Sequence, residues 1–230
     1  MIKMLLTSAG VKNAAIRDRL DEMLSAPVSR SHALAIPTAG YGHPMVDPTR
    51  AHSFISGRGS ETPMTELGWA SVGVLELTAL PSIDADRWKT WVREADVLLV
   101  NGGDALYLAH WMRESGLADL LPSLTDKLWV GLSAGSMVMT PQIGRPFMLW
   151  QPPSGSDETL GLVDFSIFPH LENPDLPSNT LEGARRWAAT LDGPAYAIDD
   201  DTAISVIDGE VDVVSEGQWE FLPGPTPIEP

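Results

Sequence analysis

No cysteine occurs anywhere in the 230 residues. Disulfides, thiolate zinc sites and every mechanism with a cysteine nucleophile are thereby excluded, and the chemistry of this chain must use oxygen or nitrogen. Positive charge is scarce as well: 15 Lys and Arg stand against 31 Asp and Glu, for a formal charge of −16 and a pI near 4.5. Such a surface repels phosphate backbones and anionic bilayers, so neither nucleic acid nor membrane is an expected partner. No apolar stretch approaches the roughly 18 residues of a membrane span. The run from Met1 to Gly10 is too short for a signal peptide, so a cytoplasmic protein is expected.

What is present is an ordinary globular composition, 43% hydrophobic and 20% charged, sized for one domain. The 20 Gly and 19 Pro indicate a loop-rich chain, and loops are where such a domain carries its site. Lys3–Ser8 reads as a strand, followed by Ile16, Leu20, Met23 and Leu24 on one helical face. Ala33–Ile36, Val74–Thr78, Val97–Val100 and Leu128–Leu132 read as further strands, separated by helix-length segments. This alternation predicts an α/β fold with a mostly parallel sheet and helices on both faces. Toward the C-terminus, Ala203–Ile207, an Asp208-Gly209 turn, Val211–Val214 and Gln218–Leu222 read as an antiparallel β-meander added to the edge of the same sheet. Residues 1–222 are therefore taken as a single domain and the proline-rich 223–230 as a flexible tail. The stretch Gly40–Ser60 has no clear period and reads as a candidate functional loop.

Two Gly-rich turns stand out. Gly131-Leu132-Ser133-Ala134-Gly135 is a G-x-S-x-G sequence directly after an apolar strand and before a helix start at Ser136–Met139. There the glycines permit a tight strand-to-helix turn that projects the serine hydroxyl at the carboxyl edge of the sheet, close to helix-start N–H groups. The same residues also suit an ordinary β-α turn, and the bare pattern does not separate the two. Val100-Asn101-Gly102-Gly103-Asp104 likewise follows a strand and precedes a helix, with Asp104 in position to cap it. Ligands of open α/β sheets sit outside the carboxyl ends of the strands, where both turns would lie.

The combination of V-N-G-G-D-A-L-Y-L, G-L-S-A-G-S and, downstream, I-F-P-H resembles the S51 serine peptidases, which include the peptidase E (aspartyl dipeptidase) and cyanophycinase branches. The resemblance implies a class I glutamine amidotransferase-like (flavodoxin-like) fold, Ser133 as nucleophile and an oxyanion hole from the N–H groups of Gly103 and Ala134. The absence of cysteine removes the nucleophile that an amidotransferase glutaminase on this fold would need.

A serine nucleophile needs a base, usually histidine. Of the five histidines, His170 matches the P-H of the family, although a core histidine would read the same by itself. His32 begins a strand and His110 sits in a helical stretch as a surface residue. His43 and His52 flank Asp47 at a spacing too irregular for a defined metal site, so no metal and no cofactor is expected. In one branch of the family the acid lies between serine and histidine, where this chain has Met148, and Ala134 to Ser156 contain neither Asp nor Glu. The other branch places a glutamate after the histidine in an I-D-E-x-T-A sequence. Here Ile198-Asp199-Asp200-Asp201-Thr202-Ala203 puts Asp200 at that glutamate's position, with Asp199 as fallback. Three successive acids also suit a solvated turn. Asp157, Glu158 and Asp164 are further candidates between serine and histidine.

The expected activity is acyl transfer to water from short peptides, with an aspartyl residue implied by the resemblance, or from β-linked aspartyl peptides. A catalytically impaired binding or regulatory protein is the competing expectation. The partner is then a small peptide, and the protein a monomer or homodimer. Arg185, Arg186 and Asp104 are the candidate substrate-binding residues, with Arg58 and Arg145 as other cations; surface salt bridging is the alternative role of each arginine. Trp129 is expected in the core, and Trp150 in the core or lining the crevice.

Overall fold

The computed structural model describes residues 2–58 and 62–224. Its elements run β1 (Lys3–Thr7), α1 (Ala14–Met23), β2 (His32–Ile36), α2 (Ala39–Gly42), α3 (Pro48–Ser56), β3 (Ser71–Val74), α4 (Ala85–Glu94), β4 (Val97–Val100), α5 (Ala105–Glu114), α6 (Leu117–Leu120), β5 (Leu128–Leu132), α7 (Ala134–Met137), β6 (Ser166–Phe168), α8 (Leu181–Ala188), β7 (Ala195–Ile198), β8 (Thr202–Ile207), β9 (Glu210–Ser215) and β10 (Trp219–Leu222). Strands β1, β4 and β5 are apolar on both faces, so they can only lie between covering layers. Met4 and Leu6, Leu98 and Val100, and Trp129 point to one face, against α4, α5 and α7; Leu5, Val97, Leu99, Leu128 and Val130 point to the other, against α1 and α3.

The main sheet has seven strands in the order β3-β2-β4-β5-β1-β8-β9, parallel from β3 through β1 and antiparallel beyond. Register places Thr7 of β1 beside Leu132 of β5 and Ala203 of β8, so the end of β1 lies between the serine turn and the start of β8. A second, three-stranded sheet in the order β10-β7-β6 is backed by α8, with Ala184, Trp187 and Ala188 in its core. No helix among the described residues is long and apolar enough to cross a membrane.

Three expectations are revised. The C-terminal strands do not form one meander on one sheet. β8 and β9 extend the main sheet through the Asp208-Gly209 turn, both residues at positive φ as a two-residue hairpin requires, but β10 departs to pair with β7. The strand expected over Val74–Thr78 is displaced: β3 ends at Val74, and the Glu76 side chain accepts the Thr78 N–H to start a 3-10 turn over Leu77–Ser82. Leu75 and Leu77 are buried, and a short apolar run by itself does not tell an extended segment from a turned one. The stretch Gly40–Ser60 is largely helical, with Asp47 capping α3 and Ala51 and Phe54 on the buried face of that helix; residues 59 and 60 lie outside the described residues. Of the tail, only 223 and 224 are described, with Gly224 laid against the Gly193–Pro194 backbone.

Candidate active site

The serine turn is built by close approach. A Cβ at Gly131 would lie 2.4 Å from the carbonyl oxygen of Gly135, and one at Gly135 would lie 2.4 Å from that of Val100. Both glycines are thus required for β5 to fold straight back into α7 against β4. The indole N–H of Trp129 donates to the Gly135 carbonyl at 2.8 Å and locks the turn from the core side, which places this tryptophan in the core. Ser133 sits at the apex with φ 50° and ψ −108°, a strained conformation for a residue with a Cβ, held by the elements around it.

β6 runs out through Pro169 to His170, whose Nε2 lies 3.0 Å from Ser133 Oγ. Its Nδ1 lies 2.6 Å from Asp200 Oδ1. An ionised carboxylate accepts only, so Nδ1 carries the proton, and Nε2 is left as the acceptor for the serine hydroxyl. Asp200 also accepts from the Ser8 hydroxyl on Oδ1 at 3.0 Å and from Asn173 Nδ2 on Oδ2 at 2.8 Å. Burial would push this carboxyl up. The hydrogen bond and charge of His170, with the bonds from Ser8 and Asn173, outweigh it and hold the group at about 2.

The histidine loop is drawn in toward the segment that carries Asp200. His170 itself takes a left-handed φ of 56°, and the Leu171 N–H donates to the Ile198 carbonyl at 3.0 Å, drawing the loop against the end of β7. Asp199 is turned away. Its Oδ1 accepts from Thr202 Oγ1 and the Asp201 N–H, and its Oδ2 accepts the Gln218 N–H, so it fixes the crossing from one sheet to the other. None of Asp157, Glu158 and Asp164 is hydrogen-bonded to His170. Glu158 forms a bridge with Gln142, and the Asp157 carbonyl accepts from Ile143.

The Gly102-Gly103 turn abuts the serine: a Cβ on Gly102 would lie 3.4 Å from that of Ser133. Gly103 has φ 141°, and a Cβ there would collide with the Ala39 carbonyl at 2.2 Å. Among the described residues, the N–H groups of Gly103 and Ala134 donate to no protein acceptor. Asp104 is buried and capping. Its Oδ1 accepts the Tyr107 N–H and its Oδ2 the Trp150 N–H, each within 2.8 Å, and the residue is almost wholly closed to solvent; burial pushes its carboxyl up. It therefore acts one step away, tying the Gly103 turn to the segment carrying Trp150. That tryptophan is half-buried against Tyr107 and His110, which corrects the surface placement of His110.

The two expected substrate arginines are engaged elsewhere. Arg185 makes a two-pronged ion pair with Glu220 of β10, at 2.9 Å for each contact, and Arg186 pairs with Glu182 one helical turn back. Neither touches Ser133, His170 or Asp200. His43, Asp47 and His52 do not converge: Asp47 caps α3, and His43 Nδ1 accepts the Met45 N–H. Among the described residues no cluster of three metal-ligating side chains forms.

Two residues at the site escaped the sequence reading, Ser8 and Asn173. Ser8 is the first residue beyond β1, the strand between the serine strand and the one that follows the acid. That adjacency is long-range pairing, invisible in a local pattern. Asn173, three residues after His170, could have been found by asking which neutral donor near the histidine serves the acid.

An open α/β sheet with a Ser-His-Asp hydrogen-bonded chain at its carboxyl edge defines a class of serine-centred site. Within that class, this chain belongs to peptidase family S51, whose sequence profile matches residues 4–214. It is 36% identical over 97 residues to peptidase E of Streptomyces coelicolor, a match covering 40% of this chain and 39% of that protein. It is 28% identical over 132 residues to an uncharacterized peptidase of Listeria innocua, covering 55% of this chain and 62% of the relative. The matches thus span less than two thirds of each curated relative's length. Among solved structures, a peptidase from an acI-B1 actinobacterium superposes with a TM-score of 0.71 at 21% identity, covering 97% of this chain and 91% of that one. A peptidase E candidate from Listeria monocytogenes EGD-e gives 0.66 at 22% identity, covering 94% and 100%. These structures share the fold.

Proposed function

We propose that this protein is a serine peptidase that hydrolyses short peptides through an acyl-enzyme on Ser133. The observation that carries the reading is the continuous chain from Ser133 Oγ through both ring nitrogens of His170 to Asp200, at 3.0 and 2.6 Å. Ser133 Oγ attacks the scissile carbonyl carbon while its proton passes to His170 Nε2. The carbonyl oxygen becomes an oxyanion, and the unpaired N–H groups of Gly103 and Ala134 are the donors available to it. Asp200 holds the imidazole in the required tautomer and stabilises the imidazolium. On collapse the C–N bond breaks, His170 returns the proton to the leaving amine, and water, deprotonated in turn by His170, releases the acid product.

For the substrate, the family supports short peptides, and N-terminal aspartyl dipeptides are the first to test. Arg185 and Arg186, the cations first expected to meet that aspartyl carboxylate, pair with Glu220 and Glu182 and touch neither Ser133 nor His170. A second reading, hydrolysis of β-aspartyl linkages, is favoured by one observation: the acid follows the histidine in sequence, as in the cyanophycinase branch. Comparing Asp-Leu, Ala-Leu and β-aspartyl dipeptides on the wild-type protein and Ser133→Ala tests both. Turnover of at least one by the wild type, lost in the variant, is expected; undiminished turnover by Ser133→Ala would remove Ser133 from the mechanism.

A further inference from the structure

We infer that Ser8 is a positioning residue for this site, its hydroxyl bracing His170 and Asp200 against each other from the tip of β1. The inference rests on reading Ser133 as the nucleophile. Ser8 is fully buried and its single hydroxyl makes contacts on both sides. It accepts the backbone N–H of His170 at 2.7 Å and donates to Asp200 Oδ1 at 3.0 Å. The direction is forced: the amide can only donate, and the ionised carboxylate can only accept. Ser8 Oγ also stands 3.3 Å from His170 Nδ1, yet that nitrogen's proton has the shorter path to Asp200 at 2.6 Å.

Placement strengthens the case. Thr7, the preceding residue, holds the opposite half of the site: its carbonyl accepts the Ser133 N–H at 3.0 Å and the Ser136 hydroxyl at 2.7 Å. Its own hydroxyl donates to the Gly131 carbonyl at 2.7 Å. Two consecutive residues at the end of one central strand thus grip the nucleophile on one side and the base and acid on the other. His170 takes a left-handed backbone that a non-glycine residue adopts only when its surroundings over-determine it, and the bond to Ser8 is part of that constraint.

The other charged groups around the acid are already engaged. Asp199 is bonded to Thr202 and Gln218, Glu216 accepts the Ala15 N–H, and Glu172 accepts the Leu181 N–H. Among the described residues no lysine or arginine bonds Asp200, so Ser8, Asn173 and His170 are its side-chain donors. Without the Ser8 hydroxyl, Oδ1 concentrates its charge on the imidazolium, which favours protonated histidine, and the ring loses a fixed reference for its approach to Ser133.

The test is the second-order rate of fluorophosphonate labelling at Ser133, followed by intact mass from about pH 5 to 9, the range in which a histidine base titrates. In Ser8→Ala the plateau rate should fall roughly 10- to 100-fold, the scale of a displacement of about 1 Å at a reacting group. The acidic limb should move to higher pH, and Ser8→Thr, which keeps the hydroxyl, should restore much of both. Should Ser8→Ala not fold, Ser8→Cys, close in shape but a weak donor, should move the limb the same way. A lowered Tm with wild-type rate and an unmoved limb in either variant would overturn the inference, leaving Ser8 a structural hydroxyl. Absence of labelling in folded wild-type protein would instead overturn the nucleophile reading itself.

Discussion

The backbone N–H of Ser133 donates to the carbonyl of Thr7 at 3.0 Å. The nucleophile's own amide is therefore spent on holding the turn to β1. In the proposed mechanism the oxyanion is left to the N–H groups on either side of it, of Ala134 at the start of α7 and of Gly103 across the crevice, which donate to no protein acceptor among the described residues.

The Gly103 donor can be tested directly. Gly103→Ala places a Cβ 2.2 Å from the Ala39 carbonyl at a φ of 141°, so the turn must move and carry its N–H with it. We expect kcat to fall about 10²-fold or more, the scale of losing one oxyanion donor, while KM changes little. Steady-state kinetics on a folded variant checks this.

Asp200 and Asp199 separate by function despite being neighbours. Asp200→Asn should lower kcat by about 10⁴-fold, because the amide no longer enforces the Nδ1–H tautomer. Asp199→Ala should instead lower Tm, since it frees the Thr202 and Gln218 donors, and leave kcat comparatively intact. A reversed pattern would make Asp199 the acid.

The carboxyl of Asp200 also sets a dependence of stability on acid. It lies at about 2 against an ordinary 3.8. Because the folded value is the lower one, the stabilisation is complete above the unfolded value and is lost as pH falls through the folded one. It amounts to about 2 kcal/mol. Chemical denaturation of wild-type protein and Asp200→Asn should therefore show a stability difference that shrinks between about pH 4 and pH 2.

Asp104 carries two backbone N–H groups on one buried carboxylate. Asp104→Ala should cost about 2 kcal/mol or more, combining a lost helix cap with an unsatisfied Trp150 amide. Thermal unfolding measures that cost. Fluorescence of Trp150, through its contacts with Tyr107 and His110, should report the release of its segment.

Much of this site was legible because its parts are local. The G-x-S-x-G turn needs Gly131 for contacts with Gly135 and Ser136, the P-H sequence ends a short strand, and Asp200 lies in a contiguous acidic motif. What was not legible depends on pairing at a distance. Ser8 meets His170 only because β1 inserts between β5 and β8, and β10 left the expected meander because β7 offered it a second sheet. The two roles open to the arginines, substrate binding and surface pairing, were not separable for a related reason. Arg185 and Arg186 lie on a helix at the right place in sequence, but the facing carboxylates of Glu220 and Glu182 are what the fold sets before them. Apolar runs were similarly silent on conformation at Leu75 and Leu77, which are buried just before and at the start of a 3-10 turn.

The most direct measurement is intact-mass and peptide-mapped detection of a fluorophosphonate adduct on the folded protein. A single adduct on Ser133, lost in Ser133→Ala and strongly slowed in His170→Ala, is the expected result. No adduct on folded protein, or an adduct elsewhere that persists in Ser133→Ala, would contradict a serine peptidase centred on Ser133.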